Sequence, residues 1–461
     1  MLKSLPEARD CRPMDCPDGF DVPGLGVLLD ARAMAGIING LLPASRAPFV
    51  ACEVLNLRYK TPSSCLVTYK LVRPGPDGLG DEETHVYARG FSQREFELAA
   101  PKIGTTRWVD SADGPSVIPL PQVSAILYWF PNDERLHGLR RITMNKKLQR
   151  VFYQQLSDYP ADEWRISDRS IRLQVIRYKP ERRAVIRCRF RAHRHADGLR
   201  LERFVYLGVY EDGRDRYLWN MLRVLHRESA RGGWRAPSPL AWISEHGALV
   251  CDTLEGVPLR EIIASANEAR ELDAPLRAAA AALVRLHAVP LRSVPAYSLV
   301  QALRRIEETR GMIARFAPES AHDTNRLAAK LSDSLRGLGM ETGSFVHGDL
   351  HPRQILVDGD SIGFLDFDRA HIGDPVHDLG NFRAQLWMSS DVNSSTSAEH
   401  LAQSFIEHYQ ATRGRPVSDK AVNIWTSVSL FHSALRPIGR AEAGWRARLL
   451  SIISLADSTL K

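Results

Sequence analysis

The stretch 345-FVHGDLHPRQILVDGDSIGFLDFDRAHIGDPVHDL-379 decides how the rest of this chain is interpreted. It gathers seven acidic residues and four histidines around two short apolar runs, without helical periodicity. The runs 354–358 and 361–367 predict two strands, and the Asp-Gly pair between them is typical of a hairpin turn. One carboxylate group therefore precedes a hairpin and another ends it.

The spacing of these polar residues points to phosphoryl transfer. Asp349 lies five residues before Gln354, and Asp366 lies twelve residues after it. A loop carboxylate, an amide and a carboxylate at the end of a hairpin strand can converge on one point. Phosphoryl transfer needs such a point, because one Asp accepts the proton of the acceptor hydroxyl while amide and carboxylate oxygens hold Mg²⁺.

The motif HGDLHP-x-Q-ILVDG…FLDFD-x-A…GDPVHDL closely resembles the aminoglycoside phosphotransferase and choline kinase family. Gln354, where Asn is commoner, resembles the maltokinase and glucosamine kinase branch, which carries an extra N-terminal domain. The resemblance covers residues 155–461. It implies an α+β, protein-kinase-like bilobal fold with a β-rich N-lobe and a helical C-lobe, preceded by an additional N-lobe-like β-rich domain.

The resemblance also implies a role for each matching residue of the catalytic half. Asp349 would be the catalytic base, and Gln354 and Asp366 would be metal ligands. His347 and His351 would shape the catalytic loop, although they could equally well only satisfy backbone groups. ATP would bind between the two lobes, with Cys251, Asp252 and Thr253 near the adenine.

The nucleotide side departs from the family pattern. Kinase-like enzymes place a Lys on the third N-lobe strand, but 204-FVYLGVY-210 has Gly208 near that position, and no Glu precedes Glu228 in the following helix. Three explanations stay open. The protein could be a weak, pseudokinase-like binding module, the strand alignment could be shifted, or other cations could substitute, namely Lys179, Arg182, Arg183 and Arg187.

Two parts of the N-terminal half repeat each other. The segment 55-LNLRYKTPSSCLVTYKLV-72 matches 173-LQVIRYKPERRAVIRCRF-190, and each is followed by a polar loop, a third strand and a helix. Lys60 and Lys179 are 119 residues apart, as are Tyr87 and Tyr206. Two domains of similar form are the simplest interpretation. The alternative is two unrelated β-meanders that share the RYK sequence.

These patterns predict four parts of the chain. Residues 1–25 would be an N-terminal arm, 26–150 a cap-like domain, 151–255 the N-lobe and 256–461 the helical catalytic lobe. Helices are predicted over 274–290 and 298–316 from their apolar spacing. The role of the first repeat is open: it could be a rigid cap, a dimer surface or a donor of Arg89 into the site.

Composition excludes several classes of protein. Hydrophobic content of 44% and charged content of 25% are ordinary for a globular chain, and no run of about 18 apolar residues predicts a membrane span. The polar N-terminus does not resemble a secretory signal. The six cysteines form no CxxC pair and are expected to be reduced thiols in a cytoplasm. The net charge of +7 comes without a nucleic-acid-binding motif, so no nucleic-acid or membrane partner is expected.

The sequence therefore predicts an ATP- and Mg²⁺-dependent phosphotransferase. The γ-phosphoryl group would move to a hydroxyl of a small polar molecule, such as a sugar, amino sugar, aminoglycoside or amino alcohol. A catalytically weak, pseudokinase-like module that binds a nucleotide or metabolite is the alternative. The oligomeric state is left open.

Overall fold

The chain begins with a β-rich first domain. The computed structural model describes residues 16–75, 80–105, 108–109, 116–156, 160–211, 213–291, 293–389 and 398–460, so most of the predicted N-terminal arm lies outside the described residues. The elements of the first domain are α1 (Leu25–Leu29), α2 (Ala31–Gly40), β1 (Ala51–Thr61), β2 (Ser64–Pro74), β3 (Asp81–Phe91), α3 (Gln93–Ala99), β4 (Val117–Leu120), β5 (Ala125–Trp129), α4 (Leu139–Ile142) and α5 (Asn145–Gln155).

The strands of the first domain form one antiparallel sheet in the order β1-β2-β3-β5-β4. Successive side chains of a strand point to opposite faces, yet Leu66 and Val67 of β2 are both buried. Val67 belongs to the hydrophobic cluster that includes α1 and α2, whereas Leu66 belongs to a second cluster on the other face. The sheet is therefore covered on both faces.

The second lobe repeats this plan. Its elements are β6 (Trp164–Ile166), β7 (Arg172–Lys179), β8 (Arg183–Arg194), β9 (Arg200–Tyr210), α6 (Arg214–Gly232), β10 (Pro239–Ile243) and β11 (Ala248–Asp252).

Its strands β7-β8-β9-β11-β10 follow the same order as the first sheet, and β6 adds to β8. The 119-residue offset also holds in the pairing register. Tyr87 lies opposite Thr68 in the first sheet, and Tyr206 lies opposite Arg187 in the second. The fold is therefore a kinase-like bilobal one, preceded by an additional domain of N-lobe form.

The C-terminal lobe is mainly helical. Its elements are β12 (Val257–Pro258), α7 (Leu259–Ser265), α8 (Asp273–His287), α9 (Leu299–Phe316), α10 (Ala321–Arg336), β13 (Ser344–Val346), β14 (Ile355–Asp358), β15 (Ser361–Phe364), β16 (His371–Gly373), α11 (Val376–Trp387), α12 (Ala398–Arg413), α13 (Asp419–Ser433), α14 (Arg436–Gly439) and α15 (Trp445–Thr459).

Local sequence accounts for the elements that bracket the site. Ser298 begins α9 with a capping box, because its side chain accepts from the Gln301 N–H while the Gln301 side chain accepts from the Ser298 N–H. In the hairpin β14-β15, Asp358 pairs with Ser361 across the turn, and Gly359 adopts φ +57. The predicted helices and hairpin thus form close to the expected residues.

Each of the three parts contacts the other two. Ile186 and Phe190, on one face of the second sheet, share a hydrophobic cluster with Leu66 and Tyr87 of the first sheet. The first domain also contacts the helical lobe directly, because Tyr59 of β1 meets Phe316 edge to face with ring centroids 5.5 Å apart. The first domain therefore touches both lobes of the kinase-like unit. Among the described helices, none is both long enough and apolar enough to cross a membrane.

Candidate active site

The loop that carries Asp349 lies between β13 and β14 and is held by a buried carboxylate. The backbone N–H groups of His347 and Gly348 donate to Asp378 of α11 at 2.7 and 2.8 Å. Gly348 has φ +76, and a Cβ atom there would lie 2.3 Å from the carbonyl oxygen of Arg369, so this position requires glycine. These contacts fix the backbone conformation of the loop that carries Asp349.

His287, at the end of α8, completes this anchor. Its Nε2 lies 3.0 Å from the Asp378 carboxylate, and its Nδ1 lies 2.8 Å from the Tyr409 hydroxyl. Burial alone would raise the pKa of Asp378, but the hydrogen bond from His287 and nearby imidazoles hold it well below its usual range. Sequence reasoning overlooked His287, although a histidine at the end of an apolar helix was an available signal.

The two histidines of the catalytic loop contact backbone groups. His347 Nε2 lies 2.8 Å from the carbonyl oxygen of Leu365, and its Nδ1 lies 3.4 Å from the backbone nitrogen of Asp349. His351 accepts a hydrogen bond from the N–H of Arg353 at 3.2 Å. Both histidines therefore connect segments of the loop, and His347 links it to the strand that leads to Asp366.

Asp366 follows β15 in the left-handed conformation, with φ 60 and ψ 61. Residues other than glycine rarely adopt it, so surrounding contacts must hold it. Arg183 donates to both oxygens of Asp366 at 2.7 and 2.8 Å, and Arg177 donates at 3.2 Å. Gln354 Nε2 lies 3.2 Å from Asp366 Oδ2. The two candidate metal ligands, Gln354 and Asp366, are thus adjacent, and the guanidinium group of Arg183 is hydrogen-bonded to the Asp366 carboxylate.

A second carboxylate shares the same arginine. Arg183 also donates to Asp368, and Arg214, in the first turn of α6, donates to the carbonyl oxygen of Asp368. Burial would lower the pKa of Arg183, but Asp366 and Asp368 together raise it above its usual value. Sequence reasoning assigned no role in the site to Arg177, although it begins the repeated RYK segment, or to Arg214, which belongs to no recognised motif.

Asp349, Asp366 and three predicted phosphate-binding cations meet at one cavity of about 200 Å³. Its lining consists of Lys179, Arg182, Arg183, Tyr210, Glu211, Arg214, Asp349, Asp366, Asp368 and Arg369. Burial and the neighbouring guanidinium groups lower the pKa of Lys179 to about 8. This crowding of cations favours binding of a polyanion, which would relieve their mutual repulsion.

On β9, the strand that lacks the usual lysine, the side chain of Tyr210 fills the space beside Gly208. Gly208 and Tyr210 lie on the same face of β9, because they are two residues apart. A Cβ atom at position 208 would lie 2.5 Å from the Tyr210 hydroxyl oxygen. Arg183 lies directly opposite Tyr210 in the β8–β9 ladder, so its side chain shares that face. The cation that reaches Asp366 thus comes from the neighbouring strand.

Comparison with known proteins matches part of the chain to one family. Residues 192–417 match the model of the phosphotransferase enzyme family. This segment, just under half of the chain, is similar to that family. The chain is therefore a small-molecule phosphotransferase. No curated protein matches the sequence.

Solved structures of similar fold include three kinases or kinase-like proteins. A choline/ethanolamine kinase family protein from Mesorhizobium loti is 16% identical over 63% of this chain and 88% of its own, with a TM-score of 0.42. The choline kinase LicA from Streptococcus pneumoniae is 14% identical over 69% and 98%, with a TM-score of 0.45. A putative aminoglycoside phosphotransferase from Ralstonia eutropha is 13% identical over 68% and 96%, with a TM-score of 0.48.

In this phosphotransferase the residues predicted near the adenine lie at the end of β11. Asp252 pairs with Arg203 at 2.9 Å, and the Thr253 hydroxyl donates to the carbonyl oxygen of Phe204 at 3.0 Å. Burial raises the pKa of the Cys251 thiol to about 12. Cys251, Asp252 and Thr253 do not line the cavity that contains Asp349. Their contacts join the end of β11 to β9, and contact with adenine stays a prediction.

The turn between β7 and β8, which precedes Arg183, is held by the first domain. Glu181 is 1% exposed and adopts φ 59. Its carboxylate pairs with Lys60 at 2.6 Å and with Arg58 at 3.3 Å, and Arg58 also donates to the carbonyl oxygen of Pro180 at 2.7 Å. Asp133 accepts the N–H of Glu181 at 2.9 Å. The extra domain therefore fixes the turn that positions Arg183.

Arg89 takes part in this interface rather than entering the cavity beside Asp349. It pairs with Glu134 and lies 3.6 Å from Glu181. Among the three roles left open for the first repeat, this contact favours that of a cap which supports the phosphate-facing turn.

Glu181→Gln is expected to raise the KM for the nucleotide by about tenfold with a smaller change in kcat, because a looser turn holds Arg183 less firmly. Steady-state kinetics with variable nucleotide concentration measures the effect. Glu202→Gln, which changes a half-exposed carboxylate on β9 that does not line the cavity, tests whether the loss of any negative charge on the second lobe has the same effect. An unchanged nucleotide KM in well-folded Glu181→Gln would contradict the assigned support.

Proposed function

We propose that this protein transfers the γ-phosphoryl group of ATP to a hydroxyl group of a small molecule, with Asp349 as general base. The observation that carries the proposal is the meeting of Asp349, Asp366 and a group of cations in one cavity. A base, a metal-binding carboxylate and phosphate-binding cations are the parts that phosphoryl transfer requires.

Mg²⁺ is proposed to be held by Asp366 and Gln354. Both side chains offer oxygen atoms, which Mg²⁺ prefers, and rotation of the Gln354 amide group exchanges its nitrogen for its oxygen. Arg183 holds both oxygens of Asp366, but a phosphate group is an equally suitable bidentate partner for guanidinium. When bound, the ion supplies positive charge that neutralises the phosphate oxygens.

The remaining roles follow from position. Asp349 accepts the proton of the acceptor hydroxyl, and Arg369, 3.7 Å from its carboxylate, holds that carboxylate in the cavity. Arg183 takes the part that a third-strand lysine plays in related enzymes, because it lies on the same sheet face and Tyr210 fills the space beside Gly208. Lys179 and Arg182 add positive charge for the phosphates.

The acceptor is proposed to be neutral or anionic. A larger cavity of about 640 Å³ adjoins the first one and shares Arg214 and Arg369 with it. Arg305 adds a third cation, against the carboxylates of Glu211 and Asp368, and Asp368 already pairs with Arg183. Because like charges in contact repel strongly, this wall disfavours cationic aminoglycosides and amino alcohols and favours sugars or hydroxyl compounds that carry an acid group.

The test is a panel of acceptors with MgATP, followed by ³¹P NMR of the products. Neutral sugars, sugar phosphates and hydroxy acids are expected to give kcat/KM values at least about tenfold above those of choline-like or aminoglycoside acceptors. Arg305→Gln should reduce the difference in kcat/KM between these acceptors and the cationic ones. Fastest transfer to a cationic acceptor would contradict the acceptor class, and MgATP binding without transfer to any acceptor would favour the pseudokinase-like alternative.

A further inference from the structure

The first domain contains a cavity of its own. It has a volume of about 480 Å³, within the range typical of small-molecule sites. Its lining combines cations and rings, chiefly Lys60, Ser64, Arg89, Trp108, Tyr128 and Arg140, with the carboxylates of Glu95 and Glu134, the second of which pairs with Arg89. None of these residues lies in the cavities that contain Asp349 or Arg305.

This cavity lies on the sheet face that corresponds to the phosphate-facing side of the second lobe. Phe91 lies opposite Ser64 in the first sheet, as Tyr210 lies opposite Arg183 in the second, with 119 residues separating each pair of counterparts. By the same offset Lys60 corresponds to Lys179, and Arg89 corresponds to Gly208, where kinase-like enzymes carry their lysine. The first domain therefore keeps a cation at the position where the second lobe has lost one.

The cationic and aromatic groups are already arranged together. Arg89 lies over the ring of Phe91, with 5.0 Å from the guanidinium carbon to the ring centroid, and Arg140 lies over Trp108 at 4.9 Å. The rings of Trp108 and Tyr128 meet edge to face, with centroids 5.7 Å apart. Cations beside an aromatic edge suit a ligand that has both a negative group and a flat ring.

A polar atom in the lining also lacks a partner. Ser64 is 1% exposed, and its hydroxyl makes no hydrogen bond to any part of the chain that the structure describes. The Arg89 Nε is likewise buried and without a hydrogen-bond partner among the described residues. Buried polar groups are almost always paired, so such atoms beside a cavity point to a bound molecule that completes their hydrogen bonds.

We propose that this cavity binds a small aromatic anion of mononucleotide size. Its phosphate or carboxylate group would pair with Arg89 and Lys60 and accept from the Ser64 hydroxyl, while its ring would lie against Trp108 and Tyr128. The site is separate from the phosphotransfer cleft and does not depend on the reaction proposed for it.

Calorimetry on the full chain tests the site with AMP, 4-nitrophenyl phosphate, adenosine and inorganic phosphate as probes. The two ring-bearing phosphates are expected to bind at least about tenfold more tightly than adenosine or phosphate alone. Arg89→Gln should weaken that binding by about tenfold or more, and Trp108→Leu provides a second variant should Arg89→Gln fail to fold. Lys179→Gln, the counterpart in the second lobe, and Arg32→Gln, an exposed arginine on α2, should leave it within about twofold.

Three results would overturn the proposal. One is the absence of binding by both ring-bearing phosphates at millimolar concentration. Another is loss of binding in Lys179→Gln with full binding in Arg89→Gln and Trp108→Leu, which would assign the probe to the phosphotransfer cleft. The third is an affinity for inorganic phosphate equal to that for the ring-bearing phosphates, which would show that Trp108 and Tyr128 do not contribute to binding.

Discussion

Asp349→Asn is expected to lower kcat for phosphoryl transfer by about 10²–10⁴-fold, because the amide cannot accept the proton of the attacking hydroxyl. The fold should persist, since the Asp349 carboxylate is partly exposed and its ion-pair partner Arg369 is itself largely exposed. Steady-state kinetics on the purified variant, with thermal unfolding as a check of structure, measures the effect.

A matched control is Asp360→Asn, which removes an exposed carboxylate from the β14–β15 turn in the same stretch of sequence. Its kcat should stay within about twofold of the parent. The nucleotide KM of Asp349→Asn should change little, because the base acts on the acceptor rather than on the phosphates. A well-folded Asp349→Asn variant with full kcat would rule out this residue as the base.

Asp366→Asn is expected to remove most of the ATP affinity that Mg²⁺ adds. ATP binding in the presence of Mg²⁺ should therefore weaken by about tenfold or more. Asn offers one weak oxygen ligand in place of a charged carboxylate, and it also leaves Arg183 without its main ionic partner. Calorimetric titration of ATP with and without Mg²⁺, on the parent and the variant, separates the metal-dependent part of the affinity. If Mg²⁺ increased ATP affinity as much in the variant as in the parent, Asp366 would not be a metal ligand.

The same substitution carries a cost in stability that must be measured separately. Arg183 and Asp366 side chains are 10% and 15% exposed, and loss of one partner of a mostly buried ion pair costs about 3–5 kcal/mol. Asp368 remains as a partner for Arg183 and should reduce that loss. Chemical unfolding of Asp366→Asn therefore accompanies the titration, and Asp360→Asn again serves as the exposed control.

The arrangement of the three parts gives the extra domain a physical role. The second sheet presents one face to the helical lobe and the other to the first sheet, and its β7–β8 turn reaches the first domain through Glu181. In both interfaces an arginine or lysine of one sheet meets an acidic residue of the next part of the chain. The pair Arg183–Asp366 and the pair Lys60–Glu181 are the two cases.

Much of this molecule was determined by sequence alone. The stretch 345–379 predicts the hairpin, the close approach of Gln354 to Asp366 and the family, because short-range spacing fixes where a loop and a two-residue turn direct their side chains. The equal spacing of two RYK segments predicts two sheets of one form, and the sheets share their strand order. Such features depend on residues that are near in sequence or that repeat.

Tertiary structure alone decided which groups meet across the chain. Arg183 reaches Asp366 over 183 residues, Lys60 reaches Glu181 over 121, and His287 reaches Asp378 over 91. Periodicity tells which face of a strand or helix a side chain occupies, but not which distant element packs there. Tyr210 fills the space beside Gly208 for the same reason: the sequence showed a missing lysine, and only the packed sheet showed what takes its space and which arginine reaches the carboxylate instead.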